Sequence, residues 1–394
     1  MSQQHPVHPN LPPPLMTSEP NSFARRTITG GKPRNIEAAL QGNAYPAQIV
    51  AALHDLRREL ATEPIRPPDP SAPDADFWHA QWAAHQGRTW LEVPWYFAEA
   101  YFYRRLLEAT GYFRPGPWQG HDPFTTQKKR MLEEGIVPLA EVLAAPVGRD
   151  DEAAATLIGC CLWGNRADLS NWGLGLGGDA PDRTLLIDHT PRLVTLLRAG
   201  CPAVGLVADN TGLELLFDLA LADFLLRNGW ARRITVHLKV DPFFVSDALP
   251  QDVHHSLGRM TSESGSPLPA LASRLRQALD DGRLVLSAHP FWNSCLTFHD
   301  MTPDVRATLE RADLILLKGD ANYRRLLGDR HWSPTIRLEE VAHYFPQPFA
   351  VLRTMKAELV VGLEPGQAEA LSAEDPDWMV NGRRGIIQVV SEEV

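Results

Sequence analysis

The fold follows from one stretch of the chain, Val204-Gly-Leu-Val-Ala-Asp-Asn-Thr-Gly-Leu-Glu-Leu-Leu-Phe-Asp218. An apolar run typical of a buried strand ends at Asp209-Asn210, and a helical pattern begins directly after it. In an open α/β sheet such a boundary is the carboxyl end of a strand, where ligands bind. Oxygen-bearing side chains at this point can hold a hard divalent cation, and the adjacent helix N-terminus favours an anion. The stretch therefore predicts an α/β sheet with metal and phosphate chemistry at its edge.

The same alternation of apolar runs and amphipathic stretches extends from about residue 150 to the C-terminus, and it predicts a mainly parallel, doubly wound sheet. The predicted strands are Leu185–Ile187, Ala203–Ala208, Ile234–Leu238, Leu284–Ser287, Leu314–Leu317, Phe349–Leu352 and Gly385–Val390. The predicted helices between them are Thr211–Arg227, Leu268–Asp280, Pro303–Arg311, Tyr323–Leu327 and Leu338–Tyr344.

The N-terminal third of the chain has a different pattern. Residues 1–20 are rich in Pro, Gln, His and Asn and predict a disordered tail. From residue 21 to residue 149 the pattern is helical and aromatic, most clearly in Ile49–Leu60 and Trp95–Leu107. We therefore expect an α-helical domain at 21–149, followed by an α/β domain at 150–394.

Composition narrows the functional class. The 394 residues include 48 acidic and 38 basic side chains, a formal net charge of -10, so the basic surface of a nucleic-acid binder is not expected. A small-molecule partner is the better expectation. The sequence contains no run of 18 apolar residues, so a membrane span is not expected. The tail lacks the features of a signal peptide, and the four cysteines lack the spacing of a zinc site or disulfide framework, so a reduced cytoplasm is expected. Oligomeric state does not follow from the sequence.

Polar groups follow several predicted strands, and each alone has an ordinary explanation. Asp209-Asn210 could cap a helix, and Asp247 or Lys318-Gly319-Asp320 could form turns. Their convergence on one edge of a parallel sheet favours a site instead. The groups are Asp209-Asn210, Phe243–Asp247, Lys318–Arg325, Arg353–Glu358 and, near the domain join, Trp163–Ser170.

The chemistry of these side chains suits a hard metal and a phosphate. Asp209, Asp247 and the Asn210 carbonyl form an oxygen set for Mg²⁺ or Mn²⁺, with substrate phosphate and water completing the shell. Lys356, with Arg324 or Arg353, would neutralise phosphate oxygens in the transition state.

Three further features of the sequence need an interpretation. Glu214, one turn into the helix, could contact a substrate hydroxyl or orient water, or it could be a plain first-turn acid favoured by the helix dipole. Gly173-Leu-Gly175-Leu-Gly-Gly178 matches a dinucleotide fingerprint by letter but precedes a strand, which favours a flexible loop. The adjacent His254-His255 pair is expected in a solvated loop.

In this order the motifs resemble the damage-control phosphatase family, also called domain of unknown function 89. The likeness is strongest to its eukaryotic-type subgroup of sugar phosphate phosphatases and acidic residue methyltransferases. It runs from about residue 90 to the C-terminus. The matching blocks are Trp163–Ser170, Ala208-Asp-Asn-Thr-Gly-Leu-Glu-Leu215, Asp218–Leu225, Phe244-Val-Ser-Asp247, Leu317-Lys-Gly-Asp-Ala-Asn-Tyr-Arg-Arg325, Arg353-Thr-Met-Lys-Ala-Glu358, Val361–Gln367 and Gly385–Gln388.

The resemblance implies a metal-dependent phosphatase with an α-helical domain on a Rossmann-like, three-layer α/β/α domain. It implies Mn²⁺ or Ni²⁺, with Mg²⁺ or Co²⁺ as other metals, held by Asp209, Asn210 and Asp247, which with Lys356 form the catalytic set. The implied substrates are phosphometabolites, in particular sugar phosphates such as fructose 1-phosphate, which the enzyme would remove in a house-cleaning role. The implied substrate contacts are Glu214, Asp320, Asn322, Tyr323, Arg324, Lys356, Asn165 and Asp168.

Two other functions remain as alternatives. The subgroup was also proposed to methylate protein glutamates with S-adenosylmethionine, although nothing else in the sequence supports that activity. A non-catalytic sugar-phosphate binder is the third hypothesis, and the intact set of Asp209, Asn210, Asp247 and Lys356 argues mildly against it.

Overall fold

A computed structural model describes residues 11–145, 148–164 and 184–391. Within these ranges, six helices lie in the N-terminal part of the chain: α1 Phe23–Arg26, α2 Lys32–Gly42, α3 Ala47–Thr62, α4 Ala75–Ala83, α5 Trp95–Ala109 and α6 Thr125–Ala144. Nine more are α7 Asp150–Trp163, α8 Thr190–Gly200, α9 Leu213–Arg227, α10 Pro250–Thr261, α11 Leu268–Asp280, α12 Pro303–Leu309, α13 Gly319–Leu327, α14 Leu338–Val341 and α15 Gln367–Glu374.

The seven strands form one sheet in the order β1-β7-β6-β5-β2-β3-β4. All neighbours are parallel except β6 and β7, which are antiparallel. The prediction of a mainly parallel sheet is therefore confirmed, with each strand at its predicted position. The strands are β1 Thr184–Asp188, β2 Ala203–Val207, β3 Arg233–Leu238, β4 Leu284–Ala288, β5 Leu314–Lys318, β6 Phe349–Thr354 and β7 Arg384–Val390.

The central strands bury both faces, which explains their nearly continuous apolar sequence. Along β2, Leu206 packs with α7, α9 and α11 on one face, whereas Val207 packs with α12, α13 and α14 on the other. Successive side chains of a strand point to opposite faces, so one apolar run supplies two cores. Gly205 permits close packing, because a Cβ there would lie 2.6 Å from Ile315 Cδ1. The result is a three-layer arrangement of helices, sheet and helices.

Helix boundaries agree less closely with the sequence predictions. Helix α9 begins at Leu213 rather than at Thr211, because Gly212 has a φ of 72° and cannot continue a right-handed helix. The prediction of a loop around His254-His255 is wrong. This segment belongs to helix α10, in which Val253, Leu257 and Met260 are buried and both histidines are exposed. Helices α8 and α15 were also not predicted.

The helical part of the chain has its own aromatic core around α5, packed with α2, α3 and α4. Helix α6 does not belong to it, since Leu132, Ile136 and Leu139 pack into the same core as α7 and α9. Side chains of the N-terminal region thus cover one face of the sheet domain directly.

Residues 11–20 correct the prediction of disorder for this half of the tail. The Leu15 N–H donates to Asp329 O at 2.9 Å, and Leu15 O accepts from Trp95 N at 2.9 Å. Thr17 is fully buried, and its hydroxyl donates to Val93 O at 2.9 Å. Low average hydropathy did not indicate disorder correctly here, because two side chains and a few backbone hydrogen bonds are enough to anchor the segment.

No helix within the described ranges is both long and apolar enough to cross a membrane. Cys160, Cys161 and Cys201 are buried free thiols, and Cys295 is a partly buried one.

Candidate active site

The candidate site lies at the carboxyl edge of the sheet, where the chain leaves β2 and β3. Asp209 O accepts from Ala248 N at 2.8 Å, and Thr211 N donates to Ser246 O at 2.7 Å. Through this irregular pairing Asn210 and Asp247 form an antiparallel bridge. Two segments that are distant in the sequence thereby bring their polar side chains together, as the sequence predicts.

The Asn210 amide is held on both sides. Its Nδ2 donates to Asp209 Oδ2 at 2.9 Å and to Glu214 Oε2 at 3.1 Å. Its Oδ1 accepts from the Ser246 hydroxyl at 2.5 Å. Glu214 is thus a buried orienting partner of Asn210, a role that the sequence analysis did not consider. Ser246 was also missed, although it lies directly before Asp247.

Two buried lysines accompany the carboxylates. The Lys239 ammonium lies 3.0 Å from Asp247 Oδ2. The Lys318 ammonium lies 3.1 Å from Glu214 Oε1 and 2.9 Å from Asp218 Oδ1. Sequence reasoning did not assign a role to either lysine. The available signal was a lysine at the end of an apolar strand, where its charge must find a buried partner.

Burial in this cluster disfavours the ionised form of the carboxylates. Burial raises the pKa of the Asp209 carboxyl well above its usual range, and Glu214 and Asp247 raise it further. Burial also raises the pKa of Asp247, against the opposing effect of Lys239. For Asp218, burial raises the pKa to about 6 although Lys318 lowers it. Crowded, desolvated acids of this kind mark functional sites more often than ordinary core.

The residues present fit a divalent cation. When ionised, the acids Asp209, Glu214, Asp218 and Asp247 outnumber the ammonium groups of Lys239 and Lys318 by two charges. Asp247 Oδ2 accepts no well-aligned hydrogen bond. Oxygen donors favour Mg²⁺, Mn²⁺ and similar hard or borderline ions.

Within the part of the chain that the structure describes, no three His, Cys, Asp or Glu side chains form a metal site by themselves. A metal at this edge would therefore need the Asn210 carbonyl in addition to Asp209 and Asp247. Substrate or water oxygens would complete its coordination shell.

Several backbone residues around the acids have positive φ values, which are typical of functional sites. Gly319 has a φ of 81°, and a Cβ there would lie 1.9 Å from Asp209 Oδ2, so only glycine fits. Phe244 and Val245, just before Asp247, have φ values of 45° and 68°. Positive φ is costly for a β-branched residue, and such strain concentrates at functional sites.

Most side chains of the Lys318–Arg325 motif, at the end of β5, are buried. Asn322 Nδ2 donates to Lys318 O at 2.8 Å and to Ala208 O at 3.3 Å, which joins the ends of β5 and β2. The Tyr323 hydroxyl accepts from Val361 N at 3.1 Å. Arg324 pairs with Asp329 at 2.6 Å. These three side chains are at most 1% exposed, so their contacts support the site from within, and their contact with substrate stays a prediction.

Asp320 and the segment after β6 lie closer to solvent. Asp320 accepts from Arg353 Nε at 2.7 Å, and Arg353 also donates to Ala357 O and Leu359 O. Arg353 is fully buried, whereas Lys356 is partly exposed. The charge of Lys356 lowers the pKa of Asp209, opposing burial, so it acts on the same site. Lys356 is therefore the better of these two cations for a ligand phosphate.

Asn165 and Asp168, the other predicted site residues, lie outside the described residues, as does the Gly173–Gly178 loop.

The chain is similar to several known proteins. Residues 32–371 match the family described as the damage-control phosphatase ARMT1-like domain. The damage-control phosphatase ARMT1 of Danio rerio is 33% identical over 395 residues, covering 89% of this chain and 87% of that protein. The proteins of the same name from Mus musculus and Homo sapiens are 32% and 31% identical, with 88% of each chain covered.

A similar fold is found in the crystal structure of a DUF89 family protein from Pyrococcus horikoshii. The TM-score is 0.50 at 14% identity, and the match covers 93% of this chain and 98% of that one. At this identity the likeness concerns the fold.

Proposed function

The chain belongs to the ARMT1-like damage-control phosphatases, hydrolases that act on phosphate esters of metabolites, and we propose that its activity depends on a divalent metal ion. The proposed substrates are small sugar phosphates such as fructose 1-phosphate. The observation that carries the metal dependence is the buried oxygen cluster of Asp209, Asn210 and Asp247, whose acids exceed the neighbouring lysines in charge. Mn²⁺ or Ni²⁺ is the proposed ion, with Mg²⁺ or Co²⁺ able to replace it.

In this proposal Asp209, Asn210 and Asp247 hold the metal. A metal bound there would polarise a phosphoryl oxygen and lower the pKa of a bound water. Glu214 fixes the Asn210 amide through its 3.1 Å hydrogen bond, and Ser246 holds the other end of the same group. Lys356 neutralises phosphate oxygens as charge builds up during transfer. Burial of the acids strengthens each of these interactions, because water does not screen them.

The test is hydrolysis of fructose 1-phosphate and p-nitrophenyl phosphate by the purified protein. We expect turnover with Mn²⁺ or Ni²⁺, loss with a chelator and recovery when metal is added back. Asp209→Asn and Asp247→Asn each remove a charged ligand and should lower kcat/KM by roughly a hundredfold or more. Glu369→Gln, which changes an exposed carboxylate on α15, should leave kcat/KM unchanged.

Turnover that persists in chelator, or in the Asp247→Asn variant, contradicts the metal-dependent proposal. Ligand-induced stabilisation without turnover would instead identify a non-catalytic binder. Calorimetry with S-adenosylmethionine tests the methyltransferase hypothesis separately. Absence of binding at high ligand concentration would exclude that hypothesis. The last test uses the full chain because the glycine-rich loop lies outside the described residues.

A further inference from the structure

A cavity of about 400 Å³ lies at the carboxyl edge of β3 and β4. One wall comes from α4 of the helical region, and the opposite wall comes from the segments that follow β3 and β4. Its volume lies in the range of small-molecule sites, roughly 300–1,000 Å³. Most of its lining is apolar and aromatic, chiefly Phe77, Trp78, Phe113 and Phe291.

Two carboxylates line this cavity, and their surroundings differ. Asp74 is neutralised by Arg104, whose Nε and Nη2 donate to its Oδ1 at 2.9 and 2.6 Å. Asp241 Oδ1 accepts a hydrogen bond from the neutral Tyr112 hydroxyl at 2.9 Å. Among the described residues no lysine, arginine or histidine forms an ion pair with Asp241. Its charge therefore remains available to a ligand.

The histidine in the wall does not supply the missing charge. His289 Nδ1 accepts from Phe291 N at 3.1 Å, and Nε2 lies 2.8 Å from Asp304 Oδ2. Both ring nitrogens are occupied away from Asp241. Burial raises the pKa of Asp241 and Asp74 raises it further, while Tyr112 and Arg104 oppose them. A bound cation would relieve this cost.

The Asp241 backbone is fixed before any ligand arrives. Asn293 Oδ1 accepts from Val240 N at 2.8 Å, and Asn293 Nδ2 donates to Asp241 O at 2.7 Å. This pair of hydrogen bonds ties the segment after β3 to the segment after β4. A preorganised carboxylate loses little entropy on binding, which favours specific recognition.

We propose that this cavity binds a small organic cation with an aromatic or apolar body, whose ammonium group pairs with Asp241. Aromatic walls suit such a ligand, since ring faces attract cations. Phe113 already makes this kind of contact, with the Arg104 guanidinium 4.2 Å from its ring centroid. The site uses none of the residues assigned to metal or phosphate, so it goes beyond the proposed phosphatase activity.

The probe for this proposal is benzylamine, which is protonated at neutral pH, and its neutral match is benzyl alcohol. Calorimetry on the full-length protein should give saturable benzylamine binding with chelator and inorganic phosphate present. Benzyl alcohol should bind about tenfold more weakly or worse, because it lacks the charge-assisted hydrogen bond. Asp241→Asn should weaken benzylamine binding by a similar factor.

Two further variants keep the result interpretable. Leu296→Trp fills the cavity from its partly buried wall and should abolish binding with Asp241 intact. Asp55→Asn changes a carboxylate elsewhere, in the helical region, and should leave binding unchanged. Thermal unfolding confirms that each variant is folded. Equal affinity for the amine and the alcohol, equal affinity in Asp241→Asn, absence of saturable binding, or competition by phosphate would each overturn the proposal.

Discussion

At the scale of single residues, the charge of Lys239 bears on the proposed binding of a metal ion by the carboxylate cluster. Its ammonium lies 3.0 Å from Asp247 Oδ2 and is 4% exposed. It also lowers the pKa of Asp209, against the larger effect of burial. A positive charge in this position compensates the acids, and it would repel a divalent ion in the proposed site.

We therefore expect Lys239→Met to bind Mn²⁺ more tightly than the wild type, by several-fold, in calorimetry without substrate. The metal-free variant should be less stable by about 3–5 kcal/mol, because Asp247 keeps a buried charge without a partner. Denaturant unfolding in chelator measures that loss. Lys239→Arg keeps the charge, and Lys129→Met changes an exposed lysine of α6, so neither should gain metal affinity. Tenfold weaker Mn²⁺ binding in Lys239→Met would mean that Lys239 positions Asp247 as a ligand instead.

Residue identity predicted the location of the candidate site better than the role of each side chain. Asp209, Asn210 and Asp247 meet because parallel strands end on one edge, which is a consequence of sheet topology. The partner of each group depends on rotamer and depth, which sequence patterns do not specify. Glu214 therefore emerges as a buried partner of Asn210 and Lys318, and Arg324 as a partner of Asp329.

At the scale of elements, the N-terminal segment braces the loop that carries Lys356. The Phe23 N–H donates to Glu358 Oε2 at 3.0 Å, and Arg26 lies 3.7 Å from Glu358 Oε1. Leu15 and Thr17 anchor the same segment closer to the N-terminus. The contact links the start of α1 to the segment that follows β6.

Glu358→Ala should raise KM for the phosphate substrate several-fold with a smaller effect on kcat, because a looser loop places Lys356 less often at the phosphate. The pair is partly exposed, so thermal stability should change little. Steady-state kinetics of Glu358→Ala and of Glu369→Ala, an exposed acid on α15, provide the comparison. An unchanged KM in Glu358→Ala would show that the brace does not reach the site.

Strands were easier to predict than helix ends, for a physical reason. A strand buried on both faces needs an unbroken apolar run, as in Leu314–Lys318 and Phe349–Thr354, and such runs are visible in sequence. Helix α10 depends on a narrow apolar stripe at Val253, Leu257 and Met260, which the His254-His255 pair obscured. Weak local signals of this kind are decided by tertiary packing.

At the scale of the whole molecule, the metal should govern stability through its linkage with protons. Burial raises the pKa of Asp209 well above its ordinary value and that of Asp218 to about 6. The metal-free folded state thus holds protons that the unfolded chain releases, and its stability falls as pH rises from about 4 towards 6 and beyond. A divalent ion bound in the proposed site would take over the role of these protons at neutral pH.

Mn²⁺ should therefore raise Tm at pH 7.5, with a free energy of about 2.7 kcal/mol at a hundred times Kd. The shift should shrink at pH 5.5, because protons then compete for the carboxylates. Scanning calorimetry with and without chelator at both pH values measures the effect. Asp209→Asn removes a ligand and a strained charge together, so this variant should be more stable than the wild type in chelator and show little Mn²⁺ shift. A Tm shift that is equal at both pH values, or preserved in Asp209→Asn, would separate metal binding from this carboxylate cluster.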